Sequence, residues 1–277
     1  MKRLLHIEWI KLWNNRASRA LIISYFVLIT LIATLTSIQI DWGPLHFKVA
    51  DAGIFNFPYL WHFNTFMIAF LKVFLAIIIV SLIANEYTYK TLKQNLIDGL
   101  SKREFITSKV LMIAALTMVS TVFLFILSMI LGLIHSDYTA FSVIVKDLDY
   151  LFAYAVKLFG FFSFCFFAGM LVKRSAFALG FLFIWFIIVE FVPYAYLASQ
   201  KSKLLADQVF QFFPFGSMWG TIPEPLSRLG AIRAAAEQVG ETIDKDYSIQ
   251  EIPIAMALLW SVCFIWAAWA LLKRRDL

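Results

Sequence analysis

Three ionisable residues stand inside long apolar runs of this 277-residue chain: Lys72, Lys157 and Glu190. An ammonium or carboxylate at mid-bilayer costs roughly 2.5–3.5 kcal/mol or more, so such groups pair with one another or face an aqueous path. Counted inward from the outer ends of their runs at 1.5 Å per residue, they lie at depths of about 13, 9 and 12 Å. Glu190 is then level enough to meet either lysine. Three chemistries stay open: an ion-paired lock in the outer half of a helical bundle, a Lys157 stem that carries its charge to the interface, and direct contact with a substrate. Little else here could do chemistry. His6, His46, His62 and His135 are scattered, and Cys165 and Cys263 lie inside apolar runs. Without an HExxH, a CxxC or a histidine cluster, no metal, cofactor, disulfide framework or catalytic residue is expected.

A second informative set lies between the second and third apolar runs, from Asn85 to Lys109. Thr91 followed by Gln94 fits a capping box. Leu92, Leu96 and Ile97 supply an apolar side, and Gly99 can take the left-handed conformation that ends a helix. Ser101 with Glu104 makes a second box, with Leu100 and Phe105 at the positions of a hydrophobic staple. The spacing predicts a short helix, a sharp break, and a new helix entering the third run. A rigid bracket of this kind suits a docking surface; the alternative is a solvated basic loop that only fixes topology. Near the start, Leu5, Trp9, Leu12 and Trp13 share one helical face and Glu8, Lys11 and Asn15 another. That pattern predicts an amphipathic helix lying among lipid headgroups, with Leu4 and Ile7 falling toward its polar side.

The elements that must position these residues follow from composition. Hydrophobic residues make up 61% of the chain and charged ones 15%, against roughly 45–50% and 25% in soluble domains. The 18 acidic and 24 basic side chains are too few to coat a soluble globule of this size. An all-α integral membrane protein, one transmembrane domain over 1–277, is the class that remains. Six runs reach the roughly 20 residues a bilayer requires: Ala20–Ile40, Phe63–Ala84, Val110–Ile134, Leu151–Val172, Ala176–Ala198 and Ile254–Leu272. Fifteen Lys and Arg flank them on the side of the two termini, and only Lys48 and Lys146 lie in the two short loops opposite. Cytoplasmic flanks carry such an excess, which predicts cytoplasmic termini and a multi-pass protein of a bacterial inner membrane. The net charge of +6 then follows from topology and implies no nucleic-acid partner. The outer loop 199–253 has helical stripes at Leu205, Val209, Phe212 and Phe213, ending at Pro214, and at Leu229, Ile232, Ala236, Val239 and Ile243. A helical cap over the outer mouth is expected. The phenylalanines of span four, Phe159 to Phe167, either line a lipophilic path or are packed or lipid-facing, and Ala176 and Gly180 offer a small face for close helix approach.

With a surface helix at Leu5–Leu12, six spans, a Glu-initiated bracket and a long outer loop before the last span, the chain resembles the permease subunits of type-2 ATP-binding cassette exporters. The likeness in layout covers nearly the whole chain, and its motif-level support lies in Glu86, Thr91, Leu92, Gly99, Ser101, Arg103, Glu104 and Lys109. Lys90 stands where many members carry glycine. The resemblance implies a non-catalytic permease that pairs with a second permease half, sits among membrane lipids and is driven by separate ATP-binding cassette ATPase subunits. Its coupling helix would be the bracket, with Glu86, Thr91, Leu92, Asp98, Gly99 and Arg103 as coupling-surface residues. No GxxxxGK[ST] motif occurs, so ATP hydrolysis is expected in another chain. A non-transporting anchor or sensor on the same scaffold, and a polytopic enzyme acting on lipids, are the other readings; the second would need converging carboxylates or histidines that the chain does not supply.

Overall fold

Surrounded by lipid, a chain satisfies its backbone within a segment only as a helix, and in the computed structural model six helices among the described residues are long and apolar enough to cross a membrane. Residues 2–35, 39–42, 45–48, 54–238 and 245–275 are described. Helix α1 (Lys2–Asn14) leads into the first span, α2 (Arg16–Leu35). This span starts earlier than hydropathy suggests because the Asn15 carboxamide oxygen accepts from the amides of Ala17 and Ser18, at 3.0 and 3.3 Å. It also stops short of Ile40, which joins a four-residue antiparallel pair, β1 (Gln39–Trp42) with β2 (Leu45–Lys48). This is the one strand pairing among the described residues of an otherwise all-helical protein.

The second span is α3 (Tyr59–Ile68) continued, through a tight 3₁₀ turn at Ala69–Leu71, by α4 (Lys72–Thr88). Then follow the short α5 (Thr91–Ile97), the third span α6 (Lys102–His135), a single turn α7 (Phe141–Ile144) and the fourth span α8 (Asp149–Val172). The fifth span consists of α9 (Ser175–Ile184), a π-helical stretch Trp185–Phe191, and α10 (Val192–Gln200). After the outer segments α11 (Lys203–Phe210), α12 (Pro214–Gly220) and α13 (Gly230–Gln238), the chain returns through the sixth span, α14 (Glu251–Lys273).

Helix α8 is the axis of the bundle, packed against α4, α6, α9 and α14. Its aromatics divide. Phe162, Phe164 and Phe166 are fully buried in the core, and Phe164 stacks on Phe264 of α14 with ring centroids 4.3 Å apart. Phe161 borders a cavity. A buried hydroxyl pair, Tyr25 and Tyr154 at 3.1 Å, ties α2 to the same axis.

One end of the bundle gathers both termini, the segment 85–109 and the turn at Lys173–Arg174. There Lys102 donates to the carbonyl of Arg275 at 2.8 Å and the Arg275 guanidinium donates to the Tyr87 hydroxyl, also at 2.8 Å. At the opposite end the outer loop folds over α3 and α8. His62 bonds the Pro223 carbonyl at 2.8 Å and stacks on Tyr150 at 4.2 Å, while Tyr150 donates to the Tyr247 carbonyl. Pro214, expected to end a helix, instead opens α12 at a first-turn position where its missing N–H costs nothing. Val239 and Ile243 of the second expected stripe lie outside the described residues.

Candidate functional site

Helix α1 keeps Leu5, Trp9 and Trp13 together on its exposed face, at 38%, 52% and 41%, but turns Leu4, Glu8 and Leu12 into the bundle, so Leu12 and Glu8 depart from the expected faces. A buried glutamate needs its charge compensated, and for Glu8 Lys109 of α6 does so. The Lys109 ammonium lies 2.7 Å from Glu8 Oε2 and 3.0 Å from Glu86 Oε1, the carboxylate at the end of α4. Lys11 reaches Glu86 Oε1 at 2.7 Å from the solvent side. Ser108 donates to Glu8 Oε1 at 3.0 Å, and Thr91 donates to Glu86 Oε2 at 2.7 Å.

Two carboxylates and two ammonium groups thus close a neutral cluster in which each Glu8 and Glu86 oxygen has a partner. Burying three charges, with Lys11 at the solvent edge, is tolerable only when the pairing is this complete. The cluster joins four elements at one point: α1, the end of span two, the first residue of α5 and the start of span three. The bonds that join α5 to the spans there are 2.7–3.0 Å long.

The bond from Thr91 also corrects an expectation. Thr91 does not cap α5 and makes no box with Gln94, because its hydroxyl is committed to Glu86. The capping position belongs to Lys90, whose φ of 56° and ψ of 18° place it in the left-handed region. A glycine takes that conformation without penalty, whereas a lysine there carries a backbone cost. The second box does form. Ser101 Oγ accepts from the Glu104 amide at 3.1 Å while the Glu104 carboxylate accepts from the Ser101 amide at 2.9 Å. Gly99, at φ 97°, makes the break between the two helices.

Of the residues singled out from the sequence, Glu86 and Leu92 are buried beneath α5, at 3% and 1% exposure, while Thr91, Asp98, Gly99 and Arg103 are on the surface. Leu92 and Leu96 form the inner face. Ile97, grouped with them by composition, points the other way and is 75% exposed, as is Tyr89 at 72%. The free face of α5 is thus Tyr89, Lys90, Lys93, Gln94, Ile97 and Asp98. Beside it, between α1 and α5, runs a cleft of about 260 Å³ bordered by Arg3, Ile7, Asn95 and Asp98. Sequence reasoning missed Glu8, Lys11 and Lys109 as one unit, since their pairings span up to 101 residues. The one available signal was a lysine and a glutamate sitting just inside the polar margins of apolar helices.

The three intramembrane charges do not meet as expected. Glu190, fully buried in the π-helical stretch, accepts from the Trp185 indole at 3.1 Å and from the amides of Phe215 and Gly216 at 3.0 and 2.9 Å. It pins span five to the first turn of α12, where unpaired backbone N–H groups favour a carboxylate. Lys72 instead lies over the Phe161 ring, 4.6 Å from its centroid, and Lys157 lies 5.8 and 6.0 Å from the rings of Phe66 and Trp219. Among the described residues neither ammonium has an ion-pair partner.

Residues 4–189, from α1 into the π-helical stretch, match the family model described as ABC-2 family transporter protein. No curated protein matches the chain.

Proposed function

The chain belongs to the ABC-2 family of transporter proteins, and from that premise we propose that it is an exporter permease whose α5 seats a separate ATP-hydrolysing subunit. As a member it is a multi-pass membrane component of an ATP-binding cassette transporter. In this reading both termini and α5 face the cytoplasm of a bacterial cell, in keeping with the lysine and arginine excess at that end. Trp9 and Trp13, stacked at 5.7 Å on the exposed face of α1, are suited to the headgroup level.

The observation that carries the proposal is the junction beneath α5. A helix that merely linked two spans would need no four-charge weld to three other elements. A lever does, because it must move as one body with spans two and three when its partner moves. The partner can shift the permease between conformations only by binding one of them more tightly, and the exposed Tyr89, Lys93 and Ile97 are where that preference would act.

A second copy or a related permease completes the assembly in this account. Span five supports it: Ala176 is exposed, a side-chain atom added at Gly180 would meet nothing within 4 Å, and Phe177 and Ile184 stand outward. The test is co-purification from native membranes, where the chain should bring down a nucleotide-hydrolysing subunit. A Lys93→Glu/Ile97→Glu variant should lose at least 90% of that subunit while keeping its own yield. Retention of the subunit by this variant would place docking elsewhere.

A further inference from the structure

Lys72 borders a cavity of about 760 Å³ between spans two, four and five and the outer helices α11 and α12. Its walls are aromatic, with Phe161, Phe183, Phe186, Phe215 and Trp219 around the one ammonium. That volume lies within the range of small-molecule sites, which are apolar with a few placed polar groups. Lys72 stands 13 residues into its span, roughly 20 Å from the Tyr59 end at 1.5 Å per residue. An unpaired ammonium at that depth is expensive and marks a ligand path or a missing partner.

Among the described residues Lys72 has no such partner. Glu190, the one acidic residue at comparable depth in any span, has both oxygens committed to α12 and Trp185. Asp207, at the cavity's outer rim, accepts from the Tyr194 hydroxyl at 2.9 Å and makes no ion pair with Lys72. Lys157, one helical turn before Phe161 on α8, adds a second cation behind Trp219.

The backbone singles out the same place. Span two breaks into its 3₁₀ turn immediately before Lys72, and span five winds into its π-helical stretch at Trp185–Phe191, which contributes Phe186 and Phe191 to the wall. Irregular helix within a membrane is tolerated where it lines a cavity, and such turns recur at functional positions.

We infer that this cavity binds a single-chain amphiphile with a carboxylate headgroup, the carboxylate pairing with Lys72 and the acyl chain lying along the aromatic wall. One ammonium matches one monovalent acid, and the walls match a hydrocarbon tail. That the amphiphile is cargo would rest on the transport function proposed above; its binding does not.

The probe is a palmitic acid carrying a photoreactive diazirine near its methyl end, applied to the full chain purified in neutral detergent without nucleotide. Adducts should map to spans two and five and saturate at one per chain. Palmitate should compete at least tenfold better than its methyl ester. Lys72→Met should weaken competition by palmitate at least tenfold and leave that by the ester unchanged, while Lys72→Arg retains it. Equal potency of acid and ester, an unaltered Lys72→Met, or unsaturable labelling over the whole apolar surface would overturn the assignment. So would a disulfide between two Phe183→Cys chains that palmitate fails to suppress, since a second copy would then fill the site. None of these results bears on whether an ATPase docks on α5.

Discussion

Lys109 and Glu8 are separated by 101 residues, yet their charged atoms lie 2.7 Å apart with 0% and 2% of the side chains exposed. The amino-terminal helix is thereby anchored to span three, and through Glu86 to span two and α5. If this junction holds the bracket rigid, breaking it should damage the fold and the partner's grip together.

Lys109→Met removes the cation shared by Glu8 and Glu86 and leaves two buried carboxylates facing each other. The expected loss is about 3–5 kcal/mol, read as a lowered thermal midpoint of the full chain in detergent. Adding Glu8→Gln should restore at least about 1 kcal/mol relative to the additive expectation, because Glu86 and Lys11 then remain a balanced pair. Strict additivity would show that the two residues are not coupled.

Lys90→Gly should stabilise α5. The residue is exposed, so no packing is lost, and its left-handed backbone costs a non-glycine roughly 1–2 kcal/mol. Glycine's greater chain entropy takes back part of this, leaving a net gain of about 0.5–1 kcal/mol. Hydrogen exchange of the α5 amides should slow several-fold; faster exchange would mean that the lysine side chain holds the turn.

At the opposite end, Gly216→Ala drives a Cβ into the Phe210 carbonyl oxygen, a backbone atom that cannot step aside cheaply. The first turn of α12 must move, taking the Phe215 and Gly216 amides away from Glu190. Both this change and Glu190→Gln should lower the yield of monodisperse protein. Normal yield from Gly216→Ala would show that α12 is loosely held.

The outer loop should respond weakly to acid. Burial pushes the Glu224 carboxyl up, but the Ser227 hydroxyl and amide, with Lys245 at 3.4 Å, outweigh it and hold the group below its ordinary range. A depressed acid contributes stability above the usual glutamate value of about 4.3, and that contribution disappears as pH falls through the lower folded value. Protease cleavage near 224–247 should accelerate only below about pH 4, and Glu224→Gln should abolish the acceleration.

Much of the architecture was legible because lipid imposes it. The six spans follow from apolar length, and the break at Gly99 and the box at Ser101 and Glu104 follow from local hydrogen bonding within a few residues. Glu8 was misread as solvent-facing because helical periodicity carries no knowledge of a lysine on another helix. Thr91 was misread for the same reason, its hydroxyl going to Glu86 and not to its own helix. Depth left a Glu190–lysine pair as one open reading, whereas the backbone amides of α12 supply the partners it takes. Each error comes from a pairing between elements distant in sequence, where propensity and pattern are silent.

The central claim, that α5 is the seat of the motor, is tested most directly by a photoreactive amino acid placed at Ile97, whose side chain is 75% exposed. Irradiated in native membranes, it should link to the ATP-hydrolysing subunit, more strongly with a non-hydrolysable nucleotide than without. A nucleotide-binding subunit that links to some other surface and never to position 97, or labelling of a cysteine there by a membrane-impermeant reagent outside intact cells, would contradict the account.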